Sequence, residues 1–182
     1  AVGFFVNANF SLWNRYFVDG SYRTSGSSKF GSNNSFAPFW ALGAGWHLHN
    51  ERFIKENLPW VNTLTFRYSL GYTGSVSFDY YQAKTVYQYD SKYQYVSGIV
   101  ALPKQMGNPD LKWQRTLNNN FGLTAAFLDS RFNLSFDFYS NTTYDMLMSV
   151  NLPPSVGTTS MNVNFGQLNN KGLDLSLSAQ II

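Results

Sequence analysis

The sequence predicts an all-β fold: a partial antiparallel transmembrane β-barrel of about seven strands, with short periplasmic turns and long extracellular loops. Three observations predict it. Segments about ten residues long alternate apolar and polar residues, and they are joined in turn by short and by long connections. The short ones fall at Trp13 to Arg15 and Leu128 to Arg131, with a compact one at His49 to Asn62; the long ones fall at Ser25 to Ser35, Ser75 to Leu111 and Asn141 to Met161. Aromatic residues make up 18% of the 182 residues and charged residues 13%, about half of the roughly 25% charge usual in soluble domains. Finally, no window holds the run of roughly 18 apolar residues that a spanning helix requires, and mean hydropathy is slightly negative. A barrel reconciles these facts, because only every second residue meets lipid.

The elements follow in order. Val2 to Leu12 sets Phe4, Val6, Ala8, Phe10 and Leu12 on one face and Asn7, Asn9 and Ser11 on the other. After the turn at Trp13, a second strand puts Tyr16, Val18, Gly20 and Tyr22 outward against Asp19, Ser21 and Arg23. The third sets Phe36, Pro38, Trp40, Leu42, Ala44, Trp46 and Leu48 against mostly small residues, which let other backbone come close. The pattern then breaks, and Asn50 is placed to cap a single helical turn ahead of Pro59 in a periplasmic connector. The fourth strand alternates most cleanly, with Leu64, Phe66, Tyr68, Leu70 and Tyr72 outward and Thr65, Arg67, Ser69, Gly71 and Thr73 inward. A fifth runs from Trp113 to Phe127 with Leu117, Phe121, Leu123, Ala125 and Phe127 outward. The sixth opposes Phe132, Leu134, Phe136 and Phe138 to Asn133, Ser135, Asp137 and Tyr139. The seventh opposes Leu173, Leu175, Leu177 and Ala179 to Gly172, Asp174, Ser176 and Ser178.

The mid-strand charges Asp19, Arg67, Asp137 and Asp174 all fall on the polar phase, which is expected to face the lumen. One Arg on the lipid face at the midplane would cost about 2 to 4 kcal/mol, so this common phase is a strong internal check. Tyr16, Tyr22, Trp40, Trp46, Trp60 and Tyr72 lie near strand ends, where interfacial aromatic girdles form. Seven is odd, and the smallest single-chain bacterial barrels close with about eight strands, so the expectation is an internal segment of a larger barrel. The lack of an initiating Met and of a leader-like start agrees with that expectation.

Several function classes find little support. The net charge of +3 is spread out with no basic run, so nucleic acid is not an expected partner. The chain has no cysteine, which argues against a disulfide scaffold. His47 and His49 share a face if both are on a strand, and Glu51 is a third possible ligand. The preferred reading is a polar rim at the periplasmic mouth, with no metal site and no cofactor. Hydrolytic chemistry needs a positioned base and an orienting partner, which no second element supplies, so no catalytic residue is assigned. Asn9, Asn133 and Asn141 begin N-x-[ST] triplets that read as chance matches. Pro153 and Pro154 with Gly157 stiffen the last long loop. The segment from Asp79 to Tyr95 carries Tyr80, Tyr81, Tyr87, Tyr89, Tyr93 and Tyr95 among polar residues. Tyrosine grips sugars or peptides at low entropy cost; the plainer alternative, which is preferred, is a strand extension whose tyrosines only pack.

Four stretches resemble the C-terminal barrel half of SusC/RagA-type TonB-dependent transporters. They are Gly26-Ser27-Ser28-Lys29-Phe30-Gly31-Ser32-Asn33-Asn34 with the strand to Trp46, Tyr68-Ser69-Leu70-Gly71-Tyr72-Thr73-Gly74, Gly107-Asn108-Pro109-Asp110-Leu111-Lys112-Trp113, and Phe165-Gly166-Gln167-Leu168-Asn169-Asn170-Lys171-Gly172-Leu173-Asp174. Their order and spacing match the family across most of the chain. Ser25, Lys29, Ser75 and Gln114 stand where the family usually has Asp, Arg, Asn and Glu; these departures touch subfamily and substrate rather than architecture. The resemblance implies a barrel of about 22 strands around a plug domain in the outer membrane of a Gram-negative bacterium. It also implies energy supplied through TonB, a SusD-type surface lipoprotein as lid, and a glycan or peptide as cargo. This chain is then one segment of a single barrel domain, with the plug and TonB box outside it.

Two other functions compete. A passive porin or barrel-anchored adhesin differs by lacking a plug with a TonB-contact segment. A soluble β-sandwich carbohydrate-binding module predicts polar residues on one face of each edge strand, whereas the outward faces here read as apolar throughout.

Overall fold

In the computed structural model, residues 2–27, 29–30, 32–75, 81–95 and 98–180 are described. They form eleven strands: β1 (Val2–Leu12), β2 (Tyr16–Gly26), β3 (Phe36–His47), β4 (Val61–Ser75), β5 (Val86–Tyr95), β6 (Gly98–Gln105), β7 (Gln114–Phe127), β8 (Phe132–Tyr144), β9 (Leu147–Asn151), β10 (Ser160–Asn164) and β11 (Gln167–Ala179). Seven of them make one sheet in the order β1-β2-β3-β4-β7-β8-β11, and these are the seven strands expected from the alternation. Every neighbouring pair in it is antiparallel. The remaining strands are two hairpins, β5 with β6 and β9 with β10, which rise from the long connections. Among the described residues no helix is long and apolar enough to cross a membrane.

Residues directly opposite one another in a sheet share a face, so the register tests the expected facing. Phe10 pairs with Val18, Val18 with Ala44, Ala44 with Tyr68, Tyr68 with Phe121, Phe121 with Phe138 and Phe138 with Leu173. One apolar row thus crosses all seven strands, and its residues stand exposed, Phe10 at 62% and Leu173 at 64%. A soluble sheet would bury such a row; a barrel wall turns it to lipid.

The apolar face is not uniform, however. The row above runs Gly20–Leu42–Leu70–Asn119–Ser140–Lys171, and it turns polar at β7. On β2 the apolar window runs from Tyr16 to Tyr22, whereas on β11 it runs from Leu173 to Ala179; carried through the register, these windows are offset by four residues. That slide is about 13 Å along a strand over five inter-strand steps of about 4.8 Å each, which corresponds to a strand tilt of roughly 30°. Ser140 and Lys171 therefore mark the upper limit of the apolar belt on their own strands, whereas on β7 Asn119 interrupts it one row below Leu117, which pairs with Tyr72.

The first tight turn places Trp13 (φ 52°) and Asn14 (φ 54°) in the left-handed region, closed by Arg15 N–H donating to the Leu12 carbonyl at 3.0 Å. This is the primed geometry that suits strand twist. The connector from Leu48 to Trp60 folds as a 3₁₀ turn (Leu48–Asn50) and one short helix, α1 (Arg52–Asn57), with Ile54 buried beneath it. Asn50 does not cap that helix. Glu51 holds the cap position without a side-chain bond, because the Asn50 amide donates instead to the Asn14 carbonyl at 2.7 Å and so ties the connector to the first turn.

Candidate functional site

The four expected lumen-facing charges lie on one face of the sheet. Asp19 is opposite Gly43, Arg67 is opposite Gly45 and Gly122, Gly122 is opposite Asp137, and Asp137 is opposite Asp174. The register brings three of them into one row, Arg67–Gly122–Asp137–Asp174, and leaves Asp19 two strands away from Arg67. Arg67 Nη2 lies 3.9 Å from Asp137 Oδ1, reaching across the intervening strand. Gly122 permits this: a Cβ there would sit 2.7 Å from Asp137 Oδ1 and 3.3 Å from Arg67 Nε. Both side chains remain partly exposed, so the pair contributes at most about 1 kcal/mol.

Above the wall, the third of the recognised stretches is the hub on which the loops converge. Asn108 makes a tight turn, its side chain accepting from Asp110 N–H at 3.0 Å and its carbonyl from Leu111 N–H at 3.3 Å. Leu111 is thereby pressed inward and is completely buried. Asp110 receives Asn33 on Oδ1 at 3.2 Å and Asn34 on its carbonyl at 3.3 Å, while Trp113 stacks on Phe30 at 4.1 Å and meets Phe39 edge-on at 5.4 Å. The first recognised stretch is thus docked on the third. From the other side, Asn108 donates to the Asn162 carbonyl (3.1 Å), Lys112 N–H donates to Asn164 Oδ1 (2.7 Å), and Asn164 donates back to the carbonyls of Lys112 and Asp145. Asn162 also donates to Gln82, and Gly107 packs against the backbone of Lys84 and Thr85, where any Cβ would overlap it at 2.3 Å. Arg115 closes the group with an ion pair to Asp145 at 2.8 Å. The Asn-Pro-Asp triplet was the signal of a turn in the sequence; that segments of all three long connections would meet around it needed coordinates.

The tyrosine-rich loop is partly visible. Tyr80 lies outside the described residues, and Tyr93 and Tyr95 belong to β5 with side chains outside them. Tyr81 sits in a turn with φ 68°. Tyr87 and Tyr89 pair with Pro103 and Ala101 on one face of the β5–β6 ribbon and are 65% and 78% exposed. These two present their rings to the surroundings rather than packing them away.

At the opposite end Glu51 is the centre of a clamp. Tyr16 Oη donates to its Oε1 at 2.8 Å, Trp46 Nε1 to the same oxygen at 3.2 Å, and Arg15 Nη1 to Oε2 at 3.1 Å. Tyr16 and Trp46 also stack at 5.9 Å at this end of the belt, where Trp60 meets Phe127 at 5.4 Å; at the other end Trp40 meets Tyr72 at 5.8 Å. The Tyr16 hydrogen bond foremost, then Trp46 and the Arg15 charge, hold the Glu51 carboxyl below its ordinary range against the opposing effect of desolvation. His47 bonds Thr65 Oγ1 at 3.0 Å, and the His49 ring meets the Leu64 backbone at 3.3 Å from the 3₁₀ turn rather than from the strand. The two rings meet edge to face at 5.6 Å, and each is engaged with β4. Among the described residues no three His, Cys, Asp or Glu side chains gather as a metal site.

Comparison with known proteins agrees with this architecture. Residues 1–181 match the family model described as TonB dependent receptor-like, beta-barrel. A TonB-dependent receptor of Formosa agariphila is 32% identical over 178 residues, covering 98% of this chain and 17% of that protein. The TonB-dependent receptor SusC of Bacteroides thetaiotaomicron is 34% identical over 190 residues, covering 100% of this chain and 18% of that protein. Among solved structures, the RagAB peptide transporter superposes with a TM-score of 0.89 at 34% identity, over 99% of this chain and 20% of that one. The siderophore receptor PirA of Pseudomonas aeruginosa shares the fold alone, with a TM-score of 0.64 at 16% identity over 96% of this chain and 30% of that one. The chain spans less than a fifth of the length of the curated relatives it matches. The seven-stranded wall, its apolar belt and its docked loops are those of an outer-membrane barrel, and this chain belongs to the TonB-dependent receptor β-barrel family.

Proposed function

We propose that this chain walls part of the lumen and outer vestibule of a TonB-dependent importer of glycans or peptides, and that it performs no catalysis. The observation that carries the reading is the two-sidedness of the seven-stranded sheet. One face is a tilted apolar belt, and the other carries Asp19, Arg67, Asp137 and Asp174, as a wet lumen requires. The likeness to the RagAB peptide transporter supports peptide cargo, and glycan cargo rests on the resemblance of the four stretches to SusC-type transporters. On this reading a plug domain and a TonB-contacting segment lie elsewhere in the protein, and a SusD-type surface lipoprotein closes over the loops. The exposed Tyr87 and Tyr89, on a ribbon standing off the wall, are candidates for the first contact with incoming cargo.

The test is uptake by cells carrying the full-length protein, offered a labelled oligosaccharide pool and a labelled peptide pool, with and without TonB. Accumulation of either pool that stops when TonB is removed supports import. Accumulation that continues unchanged without TonB makes the protein a passive pore, and no accumulation of either pool sinks the importer reading.

A further inference from the structure

On the polar face, near the loop ends of β2, β3 and β4, lies a cavity of about 350 Å³ whose lining includes Ser21, Arg23, Ser25, Phe39, Thr73 and Trp113. Register places Arg23 opposite Phe39, Ser21 opposite Ala41 and Ser25 opposite Ala37, all on the face that carries Asp19. The lining holds no carboxylate, and Arg23 has no acidic partner within 4 Å among the described residues. Two hydrogen-bonding atoms of lining residues are buried and unsatisfied, Ser25 Oγ and Trp113 Nε1; Ser25 as a residue is only 7% exposed.

Buried donors are ordinarily satisfied, and an orphan of this kind is an exception to be explained. Here two orphans share one cavity with an unpaired guanidinium. The polar inventory of the cavity is rich in donors: the five N–H bonds of Arg23, the indole N–H of Trp113, and the hydroxyls of Ser21, Ser25 and Thr73. Its apolar part is aromatic, from Phe39 on the polar face of β3 and from Trp113. Trp113 is held rigidly by its stack on Phe30 and its edge contact with Phe39, so the wall is preorganised.

We infer that this cavity is a cargo subsite for a carboxylate borne on a ligand with a flat apolar group. Arg23 receives the carboxylate in its planar fork, the serine and indole donors complete its hydrogen bonds, and the apolar group lies against the aromatic wall. The inference rests on the reading of the polar face as lumen and narrows the cargo to molecules with a free acid group.

The experiment uses the full-length protein in detergent with two probes, N-acetylphenylalanine and its uncharged amide, read by ligand-observed NMR. The expected result is binding of the acid at least about tenfold tighter than of the amide. Arg23→Gln removes that preference, Arg23→Lys retains part of it, and Ser25→Ala weakens acid binding alone. Heat-modifiable gel mobility verifies that each variant has assembled. Equal binding of acid and amide to the native protein overturns the subsite, as does an unchanged preference in Arg23→Gln. Absence of binding by either probe overturns it too and indicates that another part of the chain fills the cavity. Each of these failures leaves TonB-dependent uptake intact, whereas failure of the importer reading abolishes that uptake in the native protein.

Discussion

Arg67 on β4 and Asp137 on β8 face each other across β7, 3.9 Å apart over Gly122. Two strands that share no hydrogen bonds are thus joined over the polar face. A Val at position 122 would insert branched methyls where both charged groups now lie. Gly122→Val is therefore expected to separate the pair and to strain the wall, lowering stability by about 1 to 3 kcal/mol. Asp137→Asn, which loses only an exposed attraction, is expected to cost less than about 1 kcal/mol. Urea unfolding of the full-length protein in detergent, followed by gel mobility, checks the order of the two variants; a larger loss from Asp137→Asn would refute the wedge.

The facing of the wall predicts opposite outcomes for charge at two positions. Leu42 is 55% exposed on the apolar face, between the belt aromatics Trp40 and Trp46, and its row partners are Gly20 and Leu70. Leu42→Arg places a guanidinium in lipid near the midplane at a cost of about 2 to 4 kcal/mol and is expected to block assembly. Arg67→Leu puts an apolar residue on the wet face, where substitutions tune selectivity, and is expected to assemble. Equal yields of heat-modifiable protein from the two variants would reverse the assignment of faces.

The strands of the wall could be read from the sequence because each shows a period of two over ten or more residues, and because a single misphased charge would have been visible. Arg67, Asp137 and Asp174 kept phase, and the register joined them in one row. What could not be read was whatever depends on neighbours distant in sequence. The tilt of the belt emerges only when Lys171 is carried through Ser140 and Asn119 to Leu70. The hairpin β9–β10 sets Met148, Val150, Met161 and Val163 on one face, but each of its strands is only five residues long, too short for alternation to announce it; of β5–β6, only a strand extension carrying the tyrosines was expected. Asn50 has the side chain of a helix cap, but its amide was claimed by Asn14, a partner 36 positions away. Likewise Arg23 read simply as an inward residue until Ser25 and Trp113 were seen beside it.

Glu51 makes the connector sensitive to acid. Its folded carboxyl titrates below the ordinary value of 4.5 because the protein favours the charged form. The stabilisation is therefore fully present above pH 4.5 and is lost as pH falls from there through the lower folded value. Amide hydrogen exchange of residues 52–57, corrected for the intrinsic rate, is expected to accelerate on acidification below that point. Glu51→Gln is expected to raise exchange at neutral pH and to flatten the dependence, since no carboxylate remains to titrate. An identical pH profile in the variant would mean that another group holds the connector.

The loop hub makes the last prediction. Leu111 is the one large side chain fully buried among the described residues, and it lies in the connection between β6 and β7, outside the strands of the wall. Truncation by Leu111→Ala removes a fully buried side chain from the stretch to which the segments around Phe30, Thr85 and Asn164 are tied, at a cost of about 2 to 5 kcal/mol locally. The strands do not depend on Leu111, because their hydrogen bonds lie below it in the seven-stranded sheet. Leu111→Ala is thus expected to assemble with normal gel mobility while its long loops become open to brief proteolysis. Asn108→Ala, which removes the turn bond to Asp110 and the bond to Asn162, is expected to expose the same sites more weakly. If Leu111→Ala instead failed to assemble, the hub would be part of the folding of the wall itself, and its loops would not be a separable layer above the membrane.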